Sequence, residues 1–475
     1  MNPEPRQEPG RPPGAKSRRT KLVAWGVGAA VLATIVLATT LSRDEKDRSA
    51  TSTSTTSRVS EATTIPSGPT SNAPGQPSSP SARPTAAGPY APQPGRSFIW
   101  IGETEEPQFS EADYASIVKD YDVVVIAKFH ARFDITKHHE AARRLVALRP
   151  DIRVFPYFST KYWFDNNKWG VEPDPAWFLR DKDGQLVPKL KNREGKEVQV
   201  ATYLDLANPA YRSWAIGVLD TWLRAAPYAG VAFDAAVPLG QGDQENQAEW
   251  EGLLGPDRVA AYNDGMRELL AAAKRLVGPQ RTVYYNGIAP NFHLKGPDRN
   301  TKLLEVADGT FDERFCVTVR ASLNYVQEDL SLLSSDSPDR FFMRVNIRDA
   351  DDPNRLERFC LGAFLMAWRP GFSYYQSGPD YTTRQLEDRH PDVDVNLGNP
   401  AGRASTEGSI DHRDFEHGVV YVNLGAEPGS VVVHKAWERV QDGKVVGQVA
   451  AGSRVTVPGN DAVFLVDQSL ARAGA

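Results

Sequence analysis

The sequence predicts an α/β chain whose main part is a (β/α)8 TIM barrel, followed by a small C-terminal all-β domain. Between residues 97 and 400, short apolar runs alternate with amphipathic helices. Eight such units span about 280 residues, close to the roughly 250 of a typical barrel. A doubly wound sheet is the alternative, but it would carry a glycine-rich loop after its first strand. The acidic run at 103–107, ETEEP, would repel phosphate, so the barrel is favoured.

The eight apolar runs are the predicted barrel strands. Residues 231–233 have no polar face, as expected of a strand buried on both sides. The runs lie at 98–102, 123–129, 153–159, 230–235, 282–288, 309–315, 341–347 and 372–376.

Helices are predicted between these strands. Asn208 is a predicted N-cap and Pro209 the first helical residue, where a missing amide hydrogen is tolerated. Apolar residues recur every three or four positions over 211–223, 259–276 and 356–367. Each of these stretches is therefore predicted to be a helix with one apolar face against the core.

Beyond residue 400 the pattern changes to short alternating runs. They lie at 418–423, 430–433, 437–440, 444–449, 454–457 and 462–466. Turn sequences such as Asp442-Gly443 separate them, so a small β-sandwich domain is predicted over residues 401–475, after a barrel domain over 97–400. We expect this domain to pack beside the barrel.

The first 96 residues predict a membrane anchor and a tether. Residues 1–21 form a basic tail, and 22–41 are an uncharged apolar stretch long enough to span about 30 Å of hydrocarbon as a helix. Residues 42–96 are rich in Ser, Thr and Pro and have too few apolar side chains for a core, so a disordered linker is expected. The Lys/Arg excess before the apolar stretch predicts a single-pass cell-membrane protein with a cytoplasmic N-terminus and extracytoplasmic C-terminal domains. A cleaved signal peptide or, on Ser17-Arg18-Arg19, twin-arginine export are the alternatives.

Composition and missing motifs exclude several classes. The net charge is −5 and no basic stripe occurs outside the N-terminal tail, which argues against a nucleic-acid partner. No Gly-x-Ser-x-Gly elbow, HExxH or phosphate-binding loop is present. The two cysteines, Cys316 and Cys360, could form a disulfide or remain two buried thiols, and their spacing does not support zinc binding.

Two carboxylates close predicted barrel strands. Asp234 ends the fourth strand and Glu313 ends the sixth, which places both at the C-terminal rim where such barrels hold their chemistry. Glycoside hydrolysis needs two such groups, one to protonate the leaving oxygen and one to attack or activate water. The aromatic neighbours Phe311 and Phe315 favour a protonated Glu313, which makes it the acid candidate and Asp234 the nucleophile or base. A helix cap or a partner for arginine is the structural alternative.

Two further acids flank the sixth strand. Either Asp308 or Asp312 could take the place of Glu313 if the strand register differs by one residue. A long segment, 160–207, should lie over the active face, and its aromatic, Asp and Asn residues suit sugar rings. Packing of the segment onto the barrel explains these aromatics equally well.

Seven residues are candidates for substrate binding, each with a structural role as the alternative. Asp205 could instead brace the helix that follows it, and His130 could be a satisfied structural histidine. The candidates are Asp205, Asn286, Tyr157, His130, Trp163, Arg344 and Tyr375.

Several of these strings resemble a known family. YLDLANP at 203–209, GVAFD at 230–234, YNG at 285–287 and DGTFDERF at 308–315 are similar to the hypothetical glycosyl-hydrolase-like TIM barrels of family 15 type. The resemblance covers roughly residues 97–400, and the β domain is similar to C-terminal domains of sugar hydrolases. It implies a carbohydrate substrate, with Asp234 and Glu313 as the catalytic carboxylates.

The sequence therefore predicts a glycoside hydrolase that cleaves an extracellular or cell-envelope polysaccharide by paired-carboxylate catalysis. We expect no metal and no organic cofactor, and we expect carbohydrate and membrane to be its partners. The alternatives are a non-catalytic carbohydrate-binding barrel and a structural protein of the cell envelope.

Overall fold

A computed structural model describes residues 97–102, 108–127, 133–164, 169–193, 196–241, 246–288, 299–316, 323–334, 338–345, 352–378, 386 and 389–467. The predicted tail, apolar stretch and linker, residues 1–96, lie outside this part. Within the described ranges, no helix is both long enough and apolar enough to cross a membrane.

The described strands are numbered along the chain. They are β1 (Phe98–Ile101), β2 (Val123–Ile126), β3 (Arg153–Ser159), β4 (Tyr162–Trp163), β5 (Pro188–Arg193), β6 (Lys196–Tyr203), β7 (Gly230–Asp234), β8 (Thr282–Ile288), β9 (Gly309–Phe315), β10 (Arg340–Val345), β11 (Ser373–Gln376), β12 (Ser405–Glu407), β13 (Ile410–Phe415), β14 (Gly418–Asn423), β15 (Gly429–Val432), β16 (Trp437–Gln441), β17 (Lys444–Val449), β18 (Arg454–Val457) and β19 (Asp461–Val466).

The helices are numbered in the same way. They are α1 (Glu111–Asp120), α2 (Ile135–Leu148), α3 (Pro209–Ala225), α4 (Gln247–Leu254), α5 (Pro256–Val277), α6 (Leu323–Leu333) and α7 (Pro353–Ala367). Short 3-10 turns lie at Pro175–Trp177, Thr301–Glu305 and Pro391–Asp394.

The predicted barrel is confirmed. Eight strands pair in the order β1-β2-β3-β7-β8-β9-β10-β11, and every described pairing within this sheet is parallel. A parallel bridge between Ser97 and Tyr375 brings the last strand back to the first. The side-chain oxygen of Gln376 also accepts a hydrogen bond from the backbone N–H of Trp100 at 2.9 Å.

Aromatic side chains fill the barrel interior. Phe342 of β10 stacks on Phe311 of β9 and Tyr374 of β11, with ring centroids 4.6 and 4.9 Å apart, and it meets Phe98 of β1 edge-on at 5.1 Å. Since side chains alternate between the two faces of a strand, the residue two positions further along each strand also points inward. This second layer, nearer the C-terminal rim, contains Trp100, Tyr157, Asp234, Asn286, Glu313, Arg344 and Gln376.

The helix that follows the long segment begins as predicted. Asn208 is the N-cap of α3, and its Oδ1 accepts a hydrogen bond from the Ala210 backbone N–H at 2.9 Å. Pro209 is the first residue of this helix. The buried face carries Tyr211, Ala215, Val218, Leu219, Trp222 and Leu223. These are apolar positions of the stripe that the sequence predicted.

The segment between β3 and α3 contains structure that the sequence did not predict. Its strands form an antiparallel sheet in the order β4-β6-β5. Its tryptophans pack onto the barrel: the Trp169 ring is 1% exposed and lies 4.5 Å from Phe158 and 6.0 Å from Trp214. Trp177 also contacts Trp214, at 5.5 Å. Packing is therefore the observed role of Trp169 and Trp177.

The C-terminal part is the predicted all-β domain. It consists of a six-stranded sheet, β12-β13-β14-β19-β16-β17, and a two-stranded sheet, β15-β18. One apolar cluster, including Val431, Val455 and Val463, lies within the domain. A second, larger cluster runs from α7 into β14 and β19, so the domain packs against the barrel through this helix.

The two cysteines form a disulfide. Cys316 follows β9 directly and Cys360 lies in α7, with Cα atoms 5.7 Å apart. This finding decides between the alternatives that the sequence left open. It ties the C-terminal end of the strand that carries Glu313 to the helix that carries the β domain.

Candidate active site

The amide of Asn286 lies between the two carboxylates that close strands β7 and β9. Its Nδ2 donates to Asp234 Oδ1 at 2.8 Å and to Glu313 Oε1 at 2.5 Å. Because both distances share one nitrogen, the two oxygens are at most about 5.3 Å apart. Asp234, Asn286 and Glu313 therefore converge on one place at the C-terminal end of the barrel.

Tyr157 of β3 also contacts Asp234. Its hydroxyl donates to Asp234 Oδ2 at 2.7 Å, so both carboxylate oxygens of this 1% exposed residue accept hydrogen bonds. Burial, followed by the charge of Asp234, raises the pKa of Tyr157 well above its ordinary 10. The phenol therefore stays protonated and remains a donor at any working pH.

Two irregularities in the sheet direct Glu313 toward Asn286. Between β9 and β10 the paired residues run Asp312–Met343 and then Phe315–Val345, so Glu313 and Arg314 together face Arg344. A bulge of this kind bends the strand and re-aims a side chain. Glu313 is half-buried, whereas Asp234 is fully enclosed. Solvent and a leaving group can thus reach Glu313 more readily.

The second irregularity lies between β8 and β9, where Gly287 is an extra residue opposite β9. A Cβ at Gly287 would lie 2.4 Å from the Ala236 carbonyl oxygen, so only glycine fits. Asn300 Nδ2 donates to that carbonyl at 2.7 Å and to the Gly287 carbonyl at 3.0 Å. These bonds join the ends of β7 and β8, which carry Asp234 and Asn286.

Arg344 is the inward-facing cation of this layer. It is 2% exposed, and the β9–β10 register sets it beside Glu313. Behind it, Glu357 of α7 is fully enclosed, and burial raises the pKa of its carboxyl from 4.5 to about 7, although the Arg344 charge opposes this rise. A guanidinium in this position can bind hydroxyl or carboxylate groups of a ligand.

The two alternative acids are not part of this arrangement. Asp308 precedes β9 at its opposite end, where it accepts a hydrogen bond from the Val283 backbone N–H at 2.8 Å and pairs with Lys274. Asp312 is adjacent to Glu313 in the strand and so faces away from the barrel interior. The observed register therefore selects Glu313 among the three acids.

Of its aromatic neighbours, Phe311 lies inside the barrel, whereas Phe315 packs outward near α7.

Three predicted substrate-binding residues have structural contacts instead. Asp205 pairs with Arg258 and accepts a hydrogen bond from the Ala207 backbone N–H at 3.1 Å, which matches the bracing alternative. Trp163 is 8% exposed and packs 5.2 Å from Trp169. These contacts do not favour a sugar-binding role for either residue.

Tyr375 is the third predicted substrate-binding residue that has structural contacts instead. Its side chain points into the helical layer, where the ring lies 5.2 Å from Phe364 and the hydroxyl donates to Glu357 Oε1 at 2.6 Å. Tyr375 therefore points away from the barrel interior, whereas Tyr374 and Gln376 of the same strand point inward. His130 lies outside the described residues.

Trp100 is an inward residue that the sequence analysis missed. Its ring is edge-on to Tyr157 at 6.1 Å and to Phe311 at 5.0 Å, in the same layer as the carboxylates. Its position two residues after Phe98 in β1 was the sequence feature that could have indicated this inward orientation. In the described part of the chain, one group of His, Cys, Asp or Glu side chains is close enough together to bind a metal ion. This group contains neither Asp234 nor Glu313.

The sequence matches the model of hypothetical glycosyl hydrolase family 15 over residues 148–419, more than half of the chain. The chain belongs to this family. The matched range includes Tyr157, Asp234, Asn286 and Glu313. A search among curated proteins finds no significant match.

Several solved structures, among them α-amylases, resemble this family 15 chain at low sequence identity. An α-amylase from Geobacillus thermoleovorans is 12% identical, with a TM-score of 0.47, covering 79% of this chain and 98% of its own. An α-amylase from Malbranchea cinnamomea is 9% identical, with a TM-score of 0.47, covering 80% and 98%. A GH27 β-L-arabinopyranosidase from Geobacillus stearothermophilus is 9% identical, with a TM-score of 0.45, covering 80% and 97%.

Proposed function

We propose that this protein hydrolyses glycosidic bonds with retention of anomeric configuration. The observation that carries the proposal is the shared amide of Asn286, which keeps Asp234 Oδ1 and Glu313 Oε1 at most about 5.3 Å apart. Retaining enzymes hold their carboxyl groups about 5 to 5.5 Å apart, whereas inverting enzymes need about 6.5 to 9.5 Å to admit a water. Membership of a glycosyl hydrolase family supports the same reaction class.

The environments of the two carboxylates suggest their roles. Asp234 accepts hydrogen bonds on both oxygens, from Tyr157 and Asn286, which favours the ionised form that a nucleophile needs. Glu313 is half-buried, and its Oε2 can carry a proton while Oε1 accepts from Asn286. We therefore assign Asp234 as the nucleophile and Glu313 as the general acid and base.

The reaction then runs in two steps. Glu313 protonates the glycosidic oxygen as Asp234 attacks the anomeric carbon; the bond to the leaving group breaks and a covalent glycosyl ester forms. Glu313, now ionised, takes a proton from water, whose oxygen displaces Asp234 from the same carbon. Asn286 holds both carboxylates during each step, and Tyr157 stabilises the charge that returns to Asp234.

The proposed substrate is an extracellular or cell-envelope polysaccharide. The family match and the two carboxylates that Asn286 holds support a sugar substrate.

We also propose that the barrel faces the outside of the cell, anchored through residues 22–41. The apolar stretch with its preceding basic residues supports this orientation. The Cys316–Cys360 disulfide supports it as well, since disulfides persist mainly in oxidising compartments. Protease added to intact cells should digest the folded part, and alkaline carbonate should leave the full chain in the membrane fraction. Complete protection from protease would contradict this location.

Single carboxylate substitutions test the reaction. Asp234→Asn and Glu313→Gln should each lower kcat/KM on an oligosaccharide or aryl glycoside by about 10²- to 10⁴-fold or more. Glu313→Gln should retain more activity on an aryl glycoside, whose leaving group needs little protonation. Azide should then restore turnover and give a glycosyl azide of retained configuration. Proton NMR of the first product anomer should also show retention, and an inverted product would overturn the assignment.

The same variants distinguish a non-catalytic binding barrel. In that case a panel of glycans would bind without any cleavage, and Asp234→Asn would weaken binding. A protein with only a structural role would show neither binding nor any effect of the two substitutions on ligands.

A further inference from the structure

A second cluster of acidic and histidine side chains lies where the chain segment after β11 meets the β domain. His390 is the N-cap of the short 3-10 turn that contains Asp392, and Asp442 lies at the tip of the β16–β17 hairpin. One potential ligand atom from each of the three residues lies within 4.8 Å of the others. His390 Nε2 is 3.7 Å from Asp442 Oδ1, and His390 Nδ1 is 3.8 Å from Asp392 Oδ2.

The backbone holds this arrangement in place. Asp442 and Gly443 both have positive φ, 51° and 69°, as a tight hairpin turn requires. The Gly443 backbone N–H donates to Asp392 Oδ1 at 2.8 Å, which fixes the tip of the hairpin on the 3-10 segment. The second oxygen of Asp392 is left directed toward His390.

Buried polar atoms in the cluster lack hydrogen bonds. His390 and Asp392 are 5% and 1% exposed. Within the described part of the chain, His390 Nε2, Asp392 Oδ2 and Asp442 Oδ1 have no hydrogen-bond partner. A buried polar atom without a partner costs free energy, and two close carboxylates add mutual repulsion. A bound cation would remove both costs.

The nearest cation in the described structure has another partner. Arg358 binds Asp461 through two bonds of 3.0 Å, and its Nη1 remains 3.7 Å from Asp442 Oδ1. Its charge is therefore largely neutralised by Asp461. Arg358 therefore compensates the two carboxylates of the cluster only in part.

We propose that His390, Asp392 and Asp442 bind a divalent transition-metal ion that fastens the β16–β17 hairpin to the 3-10 turn after β11. One imidazole and two carboxylates form the mixed nitrogen and oxygen donor set that Zn²⁺ and Mn²⁺ accept, whereas Ca²⁺ prefers oxygen alone. With three protein ligands, water would complete the coordination. This site is independent of the proposed hydrolase reaction, and the sequence analysis expected no metal.

The test uses the untagged full chain, stripped with EDTA and dialysed. Equilibration with Zn²⁺ or Mn²⁺, removal of free ion and elemental analysis should find one equivalent per chain. At about 100-fold excess over Kd, the ion should raise Tm by about 5 °C. Ca²⁺ should produce a much smaller shift.

The key variant is Asp442→Asn, because asparagine also accepts positive φ and keeps the turn. It should lose the bound equivalent and the Tm response, while His390→Gln should weaken both. Asp414→Asn, the same charge change at an exposed position of β13, should behave as the wild type. The proposal is overturned if the wild type retains no ion and shows no Tm shift, or if Asp442→Asn binds as well as the wild type.

Discussion

The hydroxyl of Tyr157 donates to Asp234 Oδ2 over 2.7 Å, between two adjacent strands of the barrel. The bond joins an always-protonated phenol to a carboxylate that is cut off from solvent. It requires both side chains to point inward from the same end of β3 and β7. The proposed nucleophile is thus held in place by its neighbouring strand.

Tyr157→Phe should lower kcat by about 10- to 100-fold, because a hydrogen bond to an ionised carboxylate is lost where charge returns in the second step. KM should change little. The measurement is steady-state kinetics on an aryl glycoside, with Tm as the check on folding. Tyr284→Phe is the matched control: Tyr284 is also buried inside the barrel, but its hydroxyl has no hydrogen-bond partner among the described residues. An equal loss of kcat in both variants would contradict this role.

Asn286→Ala should reduce kcat by about 100-fold, because the amide that holds Asp234 and Glu313 in place is removed. Unfolding by urea should also show a loss of about 1 to 3 kcal/mol. Asn423→Ala provides the comparison, since this buried asparagine donates to the Glu427 and Val457 carbonyls in the β domain. It should lose similar stability but keep its kcat. An active Asn286→Ala enzyme would show that the amide has only a structural role.

Glu357 should make folding weaker as the pH rises. Its carboxyl has a pKa of about 7 in the folded state against 4.5 ordinarily, because it is buried. Between these values the folded protein binds the extra proton, so its stability falls from pH 4.5 to about 7 and then levels off. Each pKa unit corresponds to about 1.4 kcal/mol, so the total is about 3 kcal/mol.

Glu357→Gln, which mimics the protonated acid, should remove this loss. The free energy of unfolding of the variant minus that of the wild type should therefore grow by about 3 kcal/mol between pH 4.5 and 8. Glu407→Gln, at an exposed position, should show no such trend. A pH-independent difference for Glu357→Gln would mean that Glu357 is ionised throughout this range.

Reduction of the disulfide should destabilise the protein by about 2 to 4 kcal/mol, because Cys316 and Cys360 close a loop with a sequence separation of 44. Chemical denaturation with and without reductant measures the change. The Cys316→Ala/Cys360→Ala variant serves as the control and should not respond to reductant. Thiol labelling of the unfolded, unreduced protein should find no free cysteine, and two labelled thiols would contradict the bond.

The barrel and its carboxylates could be predicted because buried parallel strands are continuously apolar and a terminal acid is conspicuous after such a run. GVAFD at 230–234 is the clearest case. Because such strands are apolar on both faces, the sequence does not show which side chains point into the barrel. Tyr375 was therefore chosen where Tyr374 and Gln376 face the interior, and Trp100 was missed.

Other features depend on contacts between distant parts of the chain. The hairpin strand β5, PKLKNR, is polar, and in β6, KEVQVATY, the alternation is short, with Val198 and Val200 between polar residues, so neither strand was predicted. The disulfide joins β9 to α7, and the His390–Asp442 cluster joins the turn after β11 to the β domain, so both depend on tertiary contacts. The spacing of these residues along the sequence does not predict such contacts.

The junction of β1 with β11 has a consequence for local opening. In the described structure its backbone pairing is the bridge Ser97–Tyr375, whereas each other neighbouring pair forms a longer ladder. The strand order puts this junction diametrically opposite β7 and β8. Local opening of the barrel should therefore begin at this junction. Ser97 and Tyr375 should then exchange their amide hydrogens early, while Asp234 and Asn286 stay in contact.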